Sequence, residues 1–349
     1  MTRFSRRHLL QFAGATLGTS LAMPAIHARA ADALEQKTIE IAGVRDPQLG
    51  AQLAIAQHHG YYKDAGLDVT IHWNQSAADT LTTMASGINV GVGGIFTQVV
   101  FCGQKLPIRT ISSLADIAAT QGFVLSPGVK LASPKELEGK KLAYTQGNSQ
   151  ILLLAKMAKM YDFDMSKVTL VNMQPSDGIV AASKGDVQGL LGWEPNLFRL
   201  VKLGGSRYAT GTALYITGHE QELPFADRLQ YNHSTLLASE DWINTKPNTL
   251  KALVSALSRA TTMLINDRKQ AIEALTAVLK IDAEALDVMT QENKYGLGIS
   301  DSLATSLTFQ GEWALSVKRI PELITPEQAF APKILQAFDP ALVTWKPKA

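Results

Sequence analysis

A two-lobed α/β fold with a helical C-terminal segment is predicted from three observations on this chain of 349 residues. Short β-rich runs alternate with helical patterns over about two hundred residues, which is the signature of parallel sheets joined by crossover helices. The alternation is interrupted twice by polar segments bearing proline or glycine, and past Asn248 the pattern becomes helical throughout.

In chain order, the strands expected are Thr38–Val44, Asp68–Trp73, Val90–Val92, Ile108–Ser112, Lys141–Tyr144, Thr169–Asn172, Gln188–Trp193 and Ser234–Ser239. The stretches Ala51–His59, Ala78–Ser86, Thr97–Cys102, Gln150–Tyr161 and Gly178–Lys184 carry apolar residues at three- and four-residue spacing and read as helices. So do Thr249–Asn266, Arg268–Leu279, Ala283–Tyr295 and Asp301–Val317. The interruptions fall at Ser126-Pro127-Gly128 and between Gly218 and Asn232. The economical reading is a chain that crosses to a second lobe and returns. Residues 31–125 and 234–349 then build one lobe and 126–233 the other. Gly87 and Gly185 each follow a helical pattern, where a left-handed residue without a Cβ ends a helix well.

Residues 1–30 read as a leader. A twin arginine in Ser5-Arg6-Arg7-His8-Leu9-Leu10, a mildly apolar stretch from Leu9 to Ile26 and the small-residue pattern Ala28-Arg29-Ala30 form a secretory signal of the twin-arginine type. The mature chain is expected to begin near Ala31, in the periplasm, with the twin-arginine export machinery as a transient partner. Removing the leader takes four of the 33 basic residues and none of the 31 acidic ones, so a formal charge of +2 becomes −2. No basic run marks nucleic acid or an anionic membrane as a partner. Cys102 is the only cysteine, so no intramolecular disulfide is available to the exported chain. Its setting in Val99-Val100-Phe101-Cys102 suits a small buried hydrophobe.

Several phrases then fall in register. Gly60-Tyr61-Tyr62-Lys63-Asp64-Ala65-Gly66-Leu67-Asp68-Val69 links a first helix to a second strand. It is followed by Met84-Ala85-Ser86-Gly87, Val90-Gly91-Val92-Gly93-Gly94, Leu137-Glu138-Gly139-Lys140-Lys141-Leu142-Ala143, Gly147-Asn148-Ser149, Gly185-Asp186-Val187 and Trp193-Glu194-Pro195. Together these resemble the nitrate/sulfonate/taurine family of substrate-binding proteins that serve ABC importers, over roughly residues 38 to 260. The chain departs from that family at Asn89 and Gln188, where aspartate is usual. The resemblance implies a periplasmic-binding-protein fold of type II, in which two α/β lobes close on a small ligand like a hinged clamp. It also implies a permease and its ATPase as partners. A monomer is expected.

Ligands of open α/β sheets sit beyond the carboxyl ends of the strands. That rule selects the loops Arg45-Asp46-Pro47-Gln48-Leu49, Asn74-Gln75-Ser76, Gly93-Gly94-Ile95-Phe96-Thr97, Gln146-Gly147-Asn148-Ser149-Gln150 and Trp193-Glu194. The candidate binding residues drawn from them are Arg45, Gln48, Gln75, Ser76, Gly94, Phe96, Thr97, Gly147, Asn148, Ser149, Trp193 and Glu194. Ser149 and its neighbours open a helix whose N-terminal donors suit an anion, although Ser149 also suits a plain cap. Arg45 offers a guanidinium fork for an oxyanion. Phe96 and Trp193 offer apolar walls, and Glu194 would select an amino group while repelling a simple anion.

Chemistry for turnover is not evident. His58 and His59 are sequential and diverge by about a hundred degrees on a helix, a poor metal pair. No Gly-x-Ser-x-Gly elbow, Walker loop or dinucleotide glycine fingerprint occurs. Asp177 reads as a helix cap. The expectation is a cofactor-free, metal-free binding protein for a small anion, sulfonate- or taurine-like first, then carboxylate or nitrate. The rivals are an enzyme or a pyrimidine-precursor-binding protein on the same fold, and a ligand-sensing subunit.

Overall fold

The structure is a computed structural model that describes residues 33–146, 148–216 and 221–347. The leader expected over residues 1–30 lies outside the described residues. The strands are β1 (Thr38–Val44), β2 (Asp68–Asn74), β3 (Val90–Gly94), β4 (Ile108–Asp116), β5 (Gln121–Leu125), β6 (Lys141–Tyr144), β7 (Thr169–Asn172), β8 (Gly189–Trp193), β9 (Ser206–Thr210), β10 (Ala213–Leu214), β11 (Gln221–Glu222), β12 (His233–Ser239) and β13 (Lys294–Gly298). They form a six-stranded sheet in the order β13-β4-β12-β3-β1-β2 and a seven-stranded sheet in the order β11-β10-β9-β5-β8-β6-β7. The α/β, two-lobed expectation therefore holds.

Each lobe keeps a parallel unit joined by helices. β1 runs parallel to β2 and β3, with Val44 opposite Asn74 and Ile41 opposite Val90, so the carboxyl ends of all three strands open on one edge. β6 likewise runs parallel to β7 and β8. The sheets as wholes are mixed, where the alternating pattern points to parallel sheets. Where the chain changes lobes it arrives pointing the other way: β12 lies antiparallel between β3 and β4, and β5 lies antiparallel beside β8. This places Ser234 opposite Gly94 and Gln121 opposite Trp193, beside the mouths of the parallel strands.

The first four strands of the first sheet end at Asp116 and the second sheet begins at Gln121, so the outward passage is Ile117–Thr120 and not the proline turn near residue 126. Ser126-Pro127-Gly128 instead follows β5, with the Ser126 N–H donating to the Gln188 carbonyl at 3.1 Å. The return lies between Glu222 and His233. Nor is the chain helical throughout past Asn248. Tyr295 pairs with Ala115 in β13, which adds an edge to the first sheet where a continuation of the helix Ala283–Glu292 was expected.

Each sheet has a large packed core, with smaller clusters around Leu190 on the second and Phe101 on the first. The first is built around Ile39, Ile41, Leu53, Val92, Leu236 and the helix Pro247–Asn266, and Cys102 packs against it. The second is built around Phe123, Leu142, Leu154, Leu191 and Tyr208. Gly185 ends the helix Pro175–Lys184 in the left-handed region, φ 83°, as expected. Asn89 donates to the Gly87 carbonyl at 3.2 Å, a bond that an aspartate could not make, whereas Gln188 accepts the Lys141 N–H at 2.9 Å and so ties two strands together. Asp177 is not a cap: it lies in the first turn of a helix that begins at Pro175.

Gly189 is where β8 meets the ring of Phe123. A Cβ there would come within 2.4 Å of the ring edge and 2.8 Å of the Val124 carbonyl oxygen. Phe123 is fully buried and packs edge-on against Tyr208 at 5.7 Å between centroids, so it has little room to yield. Gly189→Ala is expected to cost roughly 1–3 kcal/mol, the usual penalty for overpacking a filled core. Urea unfolding measures this, and a loss below about 0.5 kcal/mol would show that the ring relaxes freely.

Candidate ligand cleft

The edges where the parallel strands end face each other across a cavity of about 200 Å³. Three helices begin on its wall. Ser76 precedes Ala77–Ala85, Gly94 precedes Ile95–Gly103, and Ser149 precedes Gln150–Tyr161. The first start is closed by its own side chains: Ser76 Oγ accepts the Asp79 N–H while Asp79 accepts the Ser76 N–H at 3.0 Å. The other two have no side-chain cap. Their first-turn N–H groups and the positive ends of their dipoles are therefore available to a bound anion.

Ser149 does not act as the cap that its position would also allow. Its hydroxyl instead accepts from Gln230 Nε2 at 2.9 Å and from Asn232 Nδ2 at 3.4 Å, two amides on the returning crossover. With both lone pairs engaged, the hydroxyl's remaining capacity is to donate its own proton. Asn232 is fixed in turn by Gln310, whose Nε2 donates to Asn232 Oδ1 at 3.1 Å.

A second set of amides spans the lobes. Gln48, from the loop after β1, donates through Nε2 to the Glu194 carbonyl at 2.9 Å. Gln121 Nε2 donates to Gln48 Oε1, and Gln150 Nε2 donates to Gln121 Oε1. All three side chains are buried and line or adjoin the cavity. Phe96 and Trp193 supply the apolar walls with Leu49, Val100 and Ile117. Phe96 is braced from behind by Trp313 at 5.8 Å.

Of the residues expected at the site, Gln48, Ser76, Gly94, Phe96, Thr97, Asn148, Ser149 and Trp193 meet around this one cavity. Gly147 lies outside the described residues. Gln75 is exposed beside the cleft and does not line it. The two charged candidates are engaged elsewhere. Arg45 donates to the Val278 carbonyl at 3.0 Å and lies over the Trp73 ring at 5.5 Å. Glu194, only 1% exposed, holds the Arg207 guanidinium at 2.8 Å and accepts the Phe198 N–H at 2.7 Å. Burial raises the Glu194 pKa, and the arginine offsets part of that rise.

Their places are taken by Arg319 and Asp46, the only ionisable residues among the described residues lining the cavity. Arg319 follows the helix Asp301–Ser316 and stands exposed at the rim. Asp46 is 7% exposed and accepts the N–H groups of Gln48 and Leu49 through Oδ1 at 2.9 and 2.8 Å. Burial pushes its pKa up to about 6 against the pull of those two donors. Asp46, Gln146 and Gln150 sit in loops marked by the strand-end rule, whereas Gln121, Asn232 and Arg319 sit in segments that carry no local signal.

The family model described as NMT1/THI5-like matches residues 50–271, more than half of the chain. The chain belongs to the NMT1/THI5-like family. Within it, this member is 26% identical over 147 residues to the taurine-binding periplasmic protein of Escherichia coli (strain K12), a match covering 41% of this chain and 45% of that protein. It is 25% identical over 147 residues to the 4-amino-5-hydroxymethyl-2-methylpyrimidine phosphate synthase of Aspergillus parasiticus, covering 41% and 42%. The match thus spans less than half the length of either curated relative. Among solved structures, the periplasmic aliphatic sulphonate binding protein SsuA from Escherichia coli superposes with a TM-score of 0.72 at 14% identity, over 85% of this chain and 92% of that one. This likeness shows the fold. Both binding proteins and an enzyme thus stand among the relatives of this NMT1/THI5-like chain.

Proposed function

We propose that this chain is a periplasmic solute receptor that captures a small organic anion, sulfonate- or taurine-like in the first place, and delivers it to an ABC permease and its ATPase. The observation that carries this reading is the pair of uncapped helix starts, at Gly94 in one lobe and Ser149 in the other, that converge on one cavity. Each lobe supplies part of the anion's shell, so binding favours the closed arrangement and a docking permease can distinguish closed from open. The slightly acidic mature chain would draw its ligand by these local donors and not by its overall field. The twin-arginine leader accounts for delivery to the periplasm. The same cavity lacks a paired nucleophile and base among its described lining residues, which favours capture over turnover.

The test is a thermal-shift screen of the purified protein against sulfonates, carboxylates, nitrate and pyrimidines, with the ligand recovered and identified afterwards. Stabilisation by anions with the ligand intact supports the receptor. A shift with neutral heterocycles alone, or conversion of the ligand, overturns it. Ser149→Ala should weaken anion binding by roughly 1.5–3 kcal/mol, the range for a hydrogen bond to a charged group. An unchanged affinity in titration calorimetry would leave Ser149 as an anchor for Gln230 and Asn232 alone.

A further inference from the structure

We infer that the ligand carries a protonated nitrogen in addition to its anionic head, and that Asp46 receives that nitrogen; this rests on the receptor reading above. Asp46 is the only acid among the described residues lining the cavity. Oδ1 is fully used by the two backbone donors of its own loop, while no hydrogen bond or ion pair among the described residues engages Oδ2. The neighbouring cation that would neutralise it, Arg45, is drawn away to Val278 and Trp73. Arg319 lines the same cavity but stands exposed at its rim.

A carboxylate that is more than nine-tenths buried and lacks a countercharge is costly, and such groups are retained where a partner completes them. An ammonium group from the ligand supplies both the charge and the hydrogen bonds that Oδ2 lacks. A purely anionic ligand would meet a buried charge of its own sign. A compact zwitterion would satisfy both kinds of lining group, its nitrogen at Asp46 and its oxyanion at the helix starts around Ser149 and Gly94.

The alternative is that Asp46 serves only its own loop by accepting the Gln48 and Leu49 N–H groups. An asparagine accepts those same bonds through its carbonyl oxygen, which separates the two roles. Titration calorimetry with taurine, isethionate and ethanesulfonate compares ligands that share a sulfonate and differ at the other end. Wild type should bind taurine at least tenfold more tightly than either of the others, and Asp46→Asn should abolish that preference by weakening taurine while leaving isethionate unchanged or tighter. Tighter binding of β-alanine than taurine also supports the inference, since the nitrogen is retained and only the oxyanion changes. Equal or weaker binding of taurine than isethionate by wild type overturns it whatever the variant does. A uniform loss across all three ligands in a variant with wild-type melting behaviour also overturns it. Failure of every anion to bind would instead remove the receptor reading, and this inference with it.

Discussion

Arg207→Met should cost the folded protein roughly 3–5 kcal/mol, because it strands a buried carboxylate. Glu194 keeps only the Phe198 N–H once the guanidinium is gone. Glu292 loses its 2.5 Å contact as well, and its second oxygen is already buried without a partner. Burial works against the charge on Arg207, yet the two glutamates hold its pKa above the ordinary value, so the guanidinium stays charged in the wild type. In the variant, Glu194 holds its proton more tightly when folded than when unfolded. Stability then falls as pH rises above the ordinary carboxylate range near 4.5, and the deficit is larger at pH 8 than at pH 5. Urea unfolding at the two pH values measures this, and Glu194→Gln in the same chain should restore most of the loss. A deficit under 1 kcal/mol at pH 8 would show that water reaches Glu194.

Gln121→Leu should have the largest effect on binding. It leaves Gln48 Oε1 without its donor and Gln150 Nε2 without its acceptor, each in a buried setting. An orphaned buried polar group costs about 1–3 kcal/mol. In the open arrangement water satisfies both groups, so the penalty falls on the closed one, and ligand affinity drops by the same free energy. Some 2–4 kcal/mol, or at least thirty-fold, is expected in titration calorimetry with whichever ligand the thermal screen identifies. Small-angle scattering should show less compaction on adding ligand. An affinity within threefold of wild type would mean that the amides do not couple the lobes.

The sequence was most legible where one element carries its own pattern. β1, β6, β7 and the helix Gln150–Tyr161 have the ends expected of them, since each combines a clear apolar period with a polar or glycine boundary. β5 and β13 were not legible, because Gln121-Gly122 and Tyr295-Gly296-Leu297-Gly298 look like turns and become strands only when β8 and β4 offer them a ladder. The cleft divides in the same way. Strand-end loops could be located by rule, but charge could not. Arg45 looked available until Val278, 233 positions later, proved to hold it. Arg319 reaches the rim from beyond the last long helix, where nothing local marks it. Glu194 is paired with Arg207 while Asp46 lines the cavity for the same reason: which acid has a cation is decided by contacts between distant segments.

The placement of β12 dictates an order of assembly. The second sheet is assembled wholly from residues between Gln121 and Glu222, an unbroken stretch that emerges in one piece. The first is left open during that interval, for β3 and β4 have no common neighbour until His233–Ser239 arrives to lie between them. Closing that span joins strands more than a hundred positions apart, which is slow relative to local pairing. A nascent chain stalled after Glu222 should therefore carry one finished sheet and one with raw edges, and the unfinished one is what a chaperone would have to cover.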